Sequence, residues 1–264
     1  MRFSTLVHLG LAVVGLALCP SVGRAQESEA LCAQRPGQTT PPCAVPGGRL
    51  VLETGLATWA SSGDGQVTNL AAPLLRFGLG SGLEAELGWS GLTRTVLSDK
   101  AAGAGRRRYE AGDLTVGALF GSQVSNLAYG VQGFVSLPAG EGHATAGDWG
   151  AGVRLPLSWT TGGAWQVSLT PELDLAVDGD GRGRHVATGG AAGLSRSLSE
   201  SVSAGIDVSV LRDRDPAGAS TRALLGTSLA WQTGPDTQLD FGLGFGLTKD
   251  SPHTIVSIGV TRRR

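Results

Sequence analysis

From about residue 48 onward, apolar and polar residues alternate along the chain with a period of two. In residues 82–90, Leu83, Ala85 and Leu87 fall on one face, and Glu84 and Glu86 fall on the other. This period is typical of a half-buried β-strand and not of a helix. The same alternation recurs through residue 262 and predicts twelve strands, at 49–60, 66–79, 82–93, 110–121, 125–137, 147–159, 164–177, 184–197, 200–211, 220–233, 236–248 and 253–262.

The predicted strands are long, and the turns between them alternate in length. Most of the strands have 10–14 residues, whereas globular strands usually have about 5–6 and a strand that crosses a bilayer needs about 9–11. Tight turns such as Gly80 to Gly82 and Ser122 to Ser125 alternate with longer connections such as Arg94 to Tyr109 and Pro138 to Gly147. Bacterial outer-membrane barrels show this asymmetry and have an even number of strands. The predicted fold is all-β: an up-and-down antiparallel transmembrane β-barrel of about 12 strands, formed by residues 48–264.

The alternation also predicts which side chains face the lumen. A charge on the lipid-facing side would cost about 2–4 kcal/mol at the membrane midplane, so the charged positions of the strands are expected to point inward. The candidate lumen-facing polar residues are Arg76, Glu84, Glu86, Asp113, Arg154, Glu172, Asp174, Asp207 and Asp240. The tryptophans are expected at two levels, as interfacial girdles require. Trp59, Trp89 and Trp149 lie near the longer connections, and Trp159, Trp165 and Trp231 lie near the tight turns.

The amino terminus has the features of an export signal. Residues 1–25 combine a positive charge at Arg2, an apolar run from Leu6 to Leu18 and small residues before Gln26, which predicts a cleaved signal peptide. Residues 26–47 form a Cys/Pro-rich segment that we expect in the periplasm. An exported chain with Cys32 and Cys43 in this segment favours a disulfide between them. The expected location is therefore the outer membrane of a Gram-negative bacterium.

Charge and composition exclude several classes of protein. Removal of Arg2 and Arg24 with the leader leaves 19 basic and 22 acidic side chains, a net charge of −3. A nucleic-acid-binding protein would show a basic footprint instead. After the leader, the sequence contains no run of 18 consecutive apolar residues, which excludes helical membrane spans but not strands.

No catalytic or metal-binding motif stands out, and we predict neither an enzyme nor a cofactor. His143, His185 and His253 all map to the side of the longer connections, as do Asp178, Asp180, Asp213 and Asp215, but nothing in the sequence fixes their mutual geometry. Asp178-Gly179-Asp180-Gly181 lacks the later ligands of a calcium loop and is better interpreted as a turn. Four basic side chains in Lys100 to Arg108 could meet lipopolysaccharide phosphates, although a solvated charge run explains them equally well.

Three segments resemble the outer-membrane transporters grouped as the meta-pathway phenol-degradation family. They are Gly112-Asp113-Leu114-Thr115-Val116-Gly117, the hairpin from Leu75 to Trp89, and the ending Leu239 to Thr248 followed by Asp250-Ser251-Pro252. The resemblance spans roughly residues 50 to 260. One departure is the carboxyl terminus, because chains of this family usually end in an aromatic residue and this one ends Thr261-Arg262-Arg263-Arg264.

The resemblance implies a channel that passes small hydrophobic or aromatic compounds by passive diffusion. Its expected partners are outer-membrane lipid and lipopolysaccharide, the barrel-assembly machinery and a small hydrophobic solute, with no nucleic acid. Two alternatives stay open. One is a barrel filled by its own side chains that acts as a structural or adhesion module, since twelve strands leave room for only a modest pore. The other is a hydrolase active at the rim, which would need one of the three histidines beside an acid or a serine.

Overall fold

The computed structural model describes residues 31–63, 65–97 and 106–264. Within these ranges the chain forms fifteen β-strand segments. They are β1 Leu50–Ser62, β2 Gly65–Gly80, β3 Leu83–Trp89, β4 Leu92–Leu97, β5 Arg106–Ala111, β6 Leu114–Val124, β7 Leu127–Leu137, β8 Gly150–Arg154, β9 Leu157–Thr160, β10 Trp165–Val177, β11 Arg184–Ser197, β12 Val202–Asp213, β13 Ser220–Gly234, β14 Thr237–Gly246 and β15 Thr254–Arg263.

The fifteen segments make twelve barrel strands, because three of the strands are interrupted. β3 and β4 both pair with β2. β5 pairs with β4, and β6 pairs with β3. β8 and β9 lie one after the other between β7 and β10, on either side of Pro156, which has no N–H to give to the ladder. The prediction of a twelve-stranded antiparallel barrel is confirmed.

The barrel closes between its first and last strands. β1 pairs with β2 on one side and with β15 on the other, in a ladder that runs from Val51 opposite Arg263 to Ser61 opposite Thr254. A register shift between Gly55 and Ala57 interrupts this ladder once. The amide of Arg264 also donates to the carbonyl of Leu50. With both edges paired, neither of these two strands leaves an open edge.

Two details of the wall differ from the prediction. The connection from Arg94 to Tyr109 is shorter than expected, because β4 and β5 extend into it and pair through Arg94 opposite Tyr109. The Thr, Val and Tyr residues of these stretches favour strand structure, so the sheet continues past the interruption. Trp89 also lies at that interruption and not at the barrel rim, with its indole nitrogen donating to the carbonyl of Gly112.

The wall has an apolar outside and a polar inside, which reverses the arrangement of a soluble protein. Large exposed apolar side chains cover the outer face, among them Leu87, Val116, Phe120, Leu173, Val208, Leu229, Phe241 and Ile258. The most deeply buried large side chains include Arg76, Glu53 and Glu84 on the inward face. Among the described residues, no helix is long and apolar enough to cross a bilayer.

Candidate functional site

A buried cluster of charged side chains occupies one part of the lumen. Arg76 on β2 lies between Glu53 on β1 and Glu84 on β3. The distance from Arg76 Nη1 to Glu53 Oε1 is 2.8 Å, and that from Arg76 Nε to Glu84 Oε1 is also 2.8 Å. The side chains of Arg76 and Glu84 are 0% exposed. Because buried charges are stable only when they are paired and hydrogen-bonded, this cluster must form as a unit.

The segment from Leu31 to Arg49 enters the lumen and docks on this cluster; we call residues 31–47 the plug. The amides of Gln34 and Arg35 donate to the carboxylate of Glu53 at 2.9–3.0 Å. Arg76 donates to the carbonyls of Cys32 and Cys43 at 2.6 and 3.2 Å. The wall therefore holds the plug mainly through the plug's own backbone groups.

Further contacts carry the plug across the lumen to the opposite wall. The Arg35 guanidinium pairs with Asp240 on β14, with Nη2 3.0 Å from Oδ1. The Gln38 amide and side chain contact Asp207 and Ser209 on β12, and the Thr40 amide donates to the Thr170 hydroxyl on β10 at 3.1 Å. The plug thus joins strands from all around the barrel.

A disulfide closes the plug into a loop. Cys32 and Cys43 are bonded, with their Cα atoms 6.0 Å apart. Because residues 33–42 lie between the two cysteines, the residues that contact β10, β12 and β14 belong to this closed loop. The expectation that the Cys/Pro-rich segment lies outside the barrel in the periplasm is wrong for the described part of that segment. Its backbone amides find partners on inward-facing carboxylates and hydroxyls, which draws it into the lumen. The leader, residues 1–25, lies outside the described residues.

Glycines in the wall allow the plug backbone to approach closely. A Cβ atom on Gly121 would overlap the carbonyl oxygen of Pro42, and one on Gly78 would overlap the carbonyls of Val45 and Pro46. Both glycines occupy inward-facing positions near the tight turns. A side chain at either place would push the plug away from the wall.

The structure brings most of the sequence-predicted lumen residues inward. Arg154 Nη2 lies 2.6 Å from Glu172 Oε1, and its guanidinium stacks on the ring of Phe134. Asp174 lies on the same face of β10, and one of its buried oxygens has no hydrogen-bond partner. Glu86 accepts hydrogen bonds from the side chains of Gln34 and Gln132. Asp207 and Asp240 bind the plug.

Asp113 has a different role from the one predicted. It lies between β5 and β6, where the strand is interrupted, and its two carboxylate oxygens accept from the amides of Gly140 and Ala146 at 3.0 and 2.9 Å. It therefore holds the connection between β7 and β8 and contributes no charge to the central cluster. The Gly112-Asp113 pair breaks the alternation at this point, and this break in the sequence could have indicated the interruption of the strand.

The sequence pattern did not identify two sets of residues in the lumen: those of the plug, and Glu53 of the wall. Glu53 is 1% exposed and accepts from Arg76, Gln34 and Arg35. Its inward position on β1 follows from the period of two, so the pattern could have included it. Gln34, Arg35 and Gln38 lie in a stretch without periodicity, and nothing in the sequence indicates which wall residues they meet.

A cavity of about 590 Å³ lies above the plug; we call it the vestibule. Plug residues Gln34, Arg35 and Gly37 to Thr40 form its floor. Its wall comes from β1, β2, β8, β10 to β13 and β15, and includes Arg222 and Leu224 at the start of β13, beside the connection from 214 to 219. The vestibule is therefore the part of the lumen between the plug and the longer connections.

A cluster of one histidine and three aspartates lies at the end of the barrel with the longer connections. His185 Nδ1 lies 2.8 Å from Asp178 Oδ1, and Nε2 contacts Asp213. Asp215 accepts from the amides of Gly179 and Ala217. Within the described ranges, Asp178, His185 and Asp215 are the set whose donor atoms are close enough to share one cation. Carboxylates already occupy both ring nitrogens, so neither is free to activate a nucleophile.

The connection between β14 and β15 is fixed to β13 at the same end. The hydroxyls of Thr248 and Ser251 donate to the carbonyls of Thr221 and Ala223. Asp250 accepts from the Thr221 amide. The hydrogen bond from Lys249, together with this amide, lowers the pKa of the Asp250 carboxyl below its ordinary value. These contacts hold Pro252 and Ile255 in place along the vestibule wall.

Comparison with protein families agrees with this architecture. The family model described as "Putative MetA-pathway of phenol degradation" matches residues 33–263, which include all of the plug except its first two residues and all fifteen strand segments. The chain belongs to this family. The match begins at Ala33, so the plug is part of the family pattern from just after Cys32. Comparison with curated protein sequences finds no significant match.

Several solved structures share the fold of this family member at low sequence identity. An outer membrane channel from Pseudomonas putida F1 superposes with a TM-score of 0.66 at 18% identity, covering 87% of this chain and 99% of the other. The NanC porin gives 0.57 at 9% identity, covering 81% and 98%. The translocator domain of the autotransporter NalP from Neisseria meningitidis gives 0.50 at 16% identity, covering 83% and 89%. These likenesses establish the barrel fold.

Proposed function

We propose that this protein is an outer-membrane channel that passes small hydrophobic or aromatic compounds by passive diffusion. The observation that carries the proposal is the vestibule, a cavity of about 590 Å³ inside a closed barrel whose outer face is apolar. A cavity of this size lies within the range for small-molecule sites, about 300–1,000 Å³. The solute class rests on the family description.

The same reasoning gives the protein's location and partners. We propose export through a leader at residues 1–25, insertion by the barrel-assembly machinery, and residence in the outer membrane of a Gram-negative bacterium. The apolar belt would contact outer-membrane lipid, and the basic residues between Lys100 and Arg108 would meet lipopolysaccharide phosphates. The domain boundary at residues 47 and 48 fits the start of the wall at Leu50. We propose no catalytic activity.

A plugged structural or adhesion barrel is the second candidate, and the plug itself favours it. Residues 34–45 occupy the middle of the lumen and are hydrogen-bonded to the wall. If the plug stays in place, the vestibule ends at a closed floor and nothing passes.

Uptake by intact cells separates the two candidates, because an outer leaflet of lipopolysaccharide slows the entry of hydrophobic solutes. Gram-negative cells that lack their major channels would express the protein, and uptake of a labelled aromatic solute would be measured together with ionic conductance in planar bilayers. A channel raises uptake above that of cells with an empty vector. Unchanged uptake from a barrel that shows heat-modifiable mobility on gels would contradict the channel and favour the structural module.

A further inference from the structure

Each charged residue that lines the vestibule has an ion-pair partner, with one exception. Arg35 pairs with Asp240, Glu53 pairs with Arg76, and Arg154 pairs with Glu172. Arg222 lines the same cavity. Within the described ranges, its guanidinium forms no hydrogen bond and no ion pair. Among the described residues of the lining, Arg222 is therefore the charged side chain that has no ion-pair partner.

The strand register shows that Arg222 points into the cavity. Arg222 lies opposite Leu211 on β12, and Leu224, two residues further along β13, lies opposite Ser209. The Ser209 hydroxyl contacts the plug residue Gln38, which fixes this face as the inward one. The neighbouring arginine on β12, Arg212, has the opposite parity and faces outward.

The wall on the plug side of Arg222 is apolar. Leu211 and Leu224 lie next to it on the same face. On the β14 side, Leu224 lies opposite Gly246, and Ile255 on β15 lies opposite Gly244. These two glycines have no side chains, and the backbone of Pro252 lies against Gly246, so Leu224, Pro252 and Ile255 line this part of the wall. The result is an apolar surface with a guanidinium at one edge.

We propose that the vestibule binds an amphipathic organic carboxylate. Arg222 binds its carboxylate group, and Leu211, Leu224 and Ile255 contact its apolar part. A guanidinium binds a carboxylate through two parallel hydrogen bonds. A mostly apolar cavity with a few polar groups is the usual form of a small-molecule site, in which the polar groups set orientation. This inference rests on the proposed channel function and specifies its solute.

Equilibrium binding tests the proposal without requiring transport. The refolded full chain in phosphatidylcholine nanodiscs would be titrated with 2-naphthoate and with 2-naphthol, which is neutral at pH 7, and the binding to empty discs subtracted. We expect Arg222→Gln to weaken 2-naphthoate binding by at least about threefold and to leave 2-naphthol nearly unchanged, as for a partly solvated ion pair. Leu224→Ala should weaken the binding of both probes.

The matched control is Arg212→Gln, which removes an arginine at the same height from the outer face. It should keep the preference for 2-naphthoate, and heat-modifiable mobility verifies the fold of each variant. The proposal would be overturned if Arg222→Gln bound both probes as tightly as the wild type does. It would also be overturned if Arg212→Gln lost as much affinity for 2-naphthoate as Arg222→Gln does. If inorganic phosphate displaced bound 2-naphthoate as effectively as additional 2-naphthoate does, the site would bind anions without contacting an apolar group. That result would also overturn the proposal.

The outcome is distinguishable from the fate of the channel. If the cells take up a neutral aromatic solute but the purified barrel shows no carboxylate preference, the channel stands and this inference fails. If the barrel binds 2-naphthoate through Arg222 but uptake does not rise, the binding site stands and the channel fails.

Discussion

At the scale of single residues, the most constrained group in the lumen is Arg76. Its guanidinium contacts two carboxylates of the wall and two carbonyls of the plug, and its side chain is 0% exposed. A buried arginine with these partners uses nearly all of its donors. Arg76 therefore couples the stability of the wall to the position of the plug.

Replacing Arg76 by methionine should destabilise the barrel strongly. The change leaves the carboxylates of Glu53 and Glu84 buried without their cation, which costs about 3–5 kcal/mol of unfolding free energy. Denaturant unfolding followed by tryptophan fluorescence measures this cost. The exposed, outward-facing Arg212→Gln serves as the control and should unfold like the wild type. An unchanged midpoint for Arg76→Met would contradict the description of Arg76 as the central charge.

At the scale of elements, the plug contacts β1 and β2 on one side of the lumen and β10, β12 and β14 on the other, and its disulfide closes it into a loop. The wall provides room for it with glycines at positions 78 and 121, where the plug backbone lies against the strand. Its position therefore depends on the shape of the wall as well as on hydrogen bonds.

Gly121→Leu should displace the plug and raise conductance. The new side chain would occupy the place of the Pro42 carbonyl. The same substitution at Gly133, an outward-facing position where a Cβ meets nothing within 4 Å, is the matched control. Single-channel recording in planar bilayers measures the effect. Equal conductance of both variants would show that the plug does not limit the flow of ions.

Removing the disulfide should make the plug more mobile while the barrel stays intact. In the double variant Cys32→Ser, Cys43→Ser, residues 33–42 are no longer closed into a loop, so the plug samples more conformations. We expect more frequent conductance fluctuations than in the wild type. A reducing agent should produce the same change in the wild type and no further change in the double variant. A quiet trace from the double variant would exclude this role for the disulfide.

At the scale of the whole molecule, the barrel has an apolar outer face and a polar lumen, and this contrast can be tested at one depth. Val208→Lys places a charge on the outer face of β12, whereas Ser209→Lys places the same charge in the vestibule. The first change should lower stability by about 2–4 kcal/mol and the second by much less. Denaturant unfolding in lipid vesicles compares the two. Equal losses would show that the outer face is not in contact with lipid.

The period of two was sufficient to predict the wall but not the plug. It placed Arg76, Glu84 and Glu86 inward because every second side chain of a strand shares a face. It could not place Gln34 or Arg35, because an irregular segment has no face and its partners depend on its path through the lumen. The strand interruptions at Gly91 and Gly112 also escaped prediction, since their effect appears only when β2 pairs with two segments in turn.

The ion pair between Arg35 and Asp240 has a consequence for how the barrel is completed. Arg35 lies against Gly55 and Gly259, which pair across the seam between the first and last strands. Its amide is bound to Glu53 on β1, and its guanidinium is bound to Asp240 on β14. Residues made before any strand thus find their last partner only when the final hairpin arrives. Enclosing the amino-terminal loop and sealing the cylinder are therefore one step of assembly.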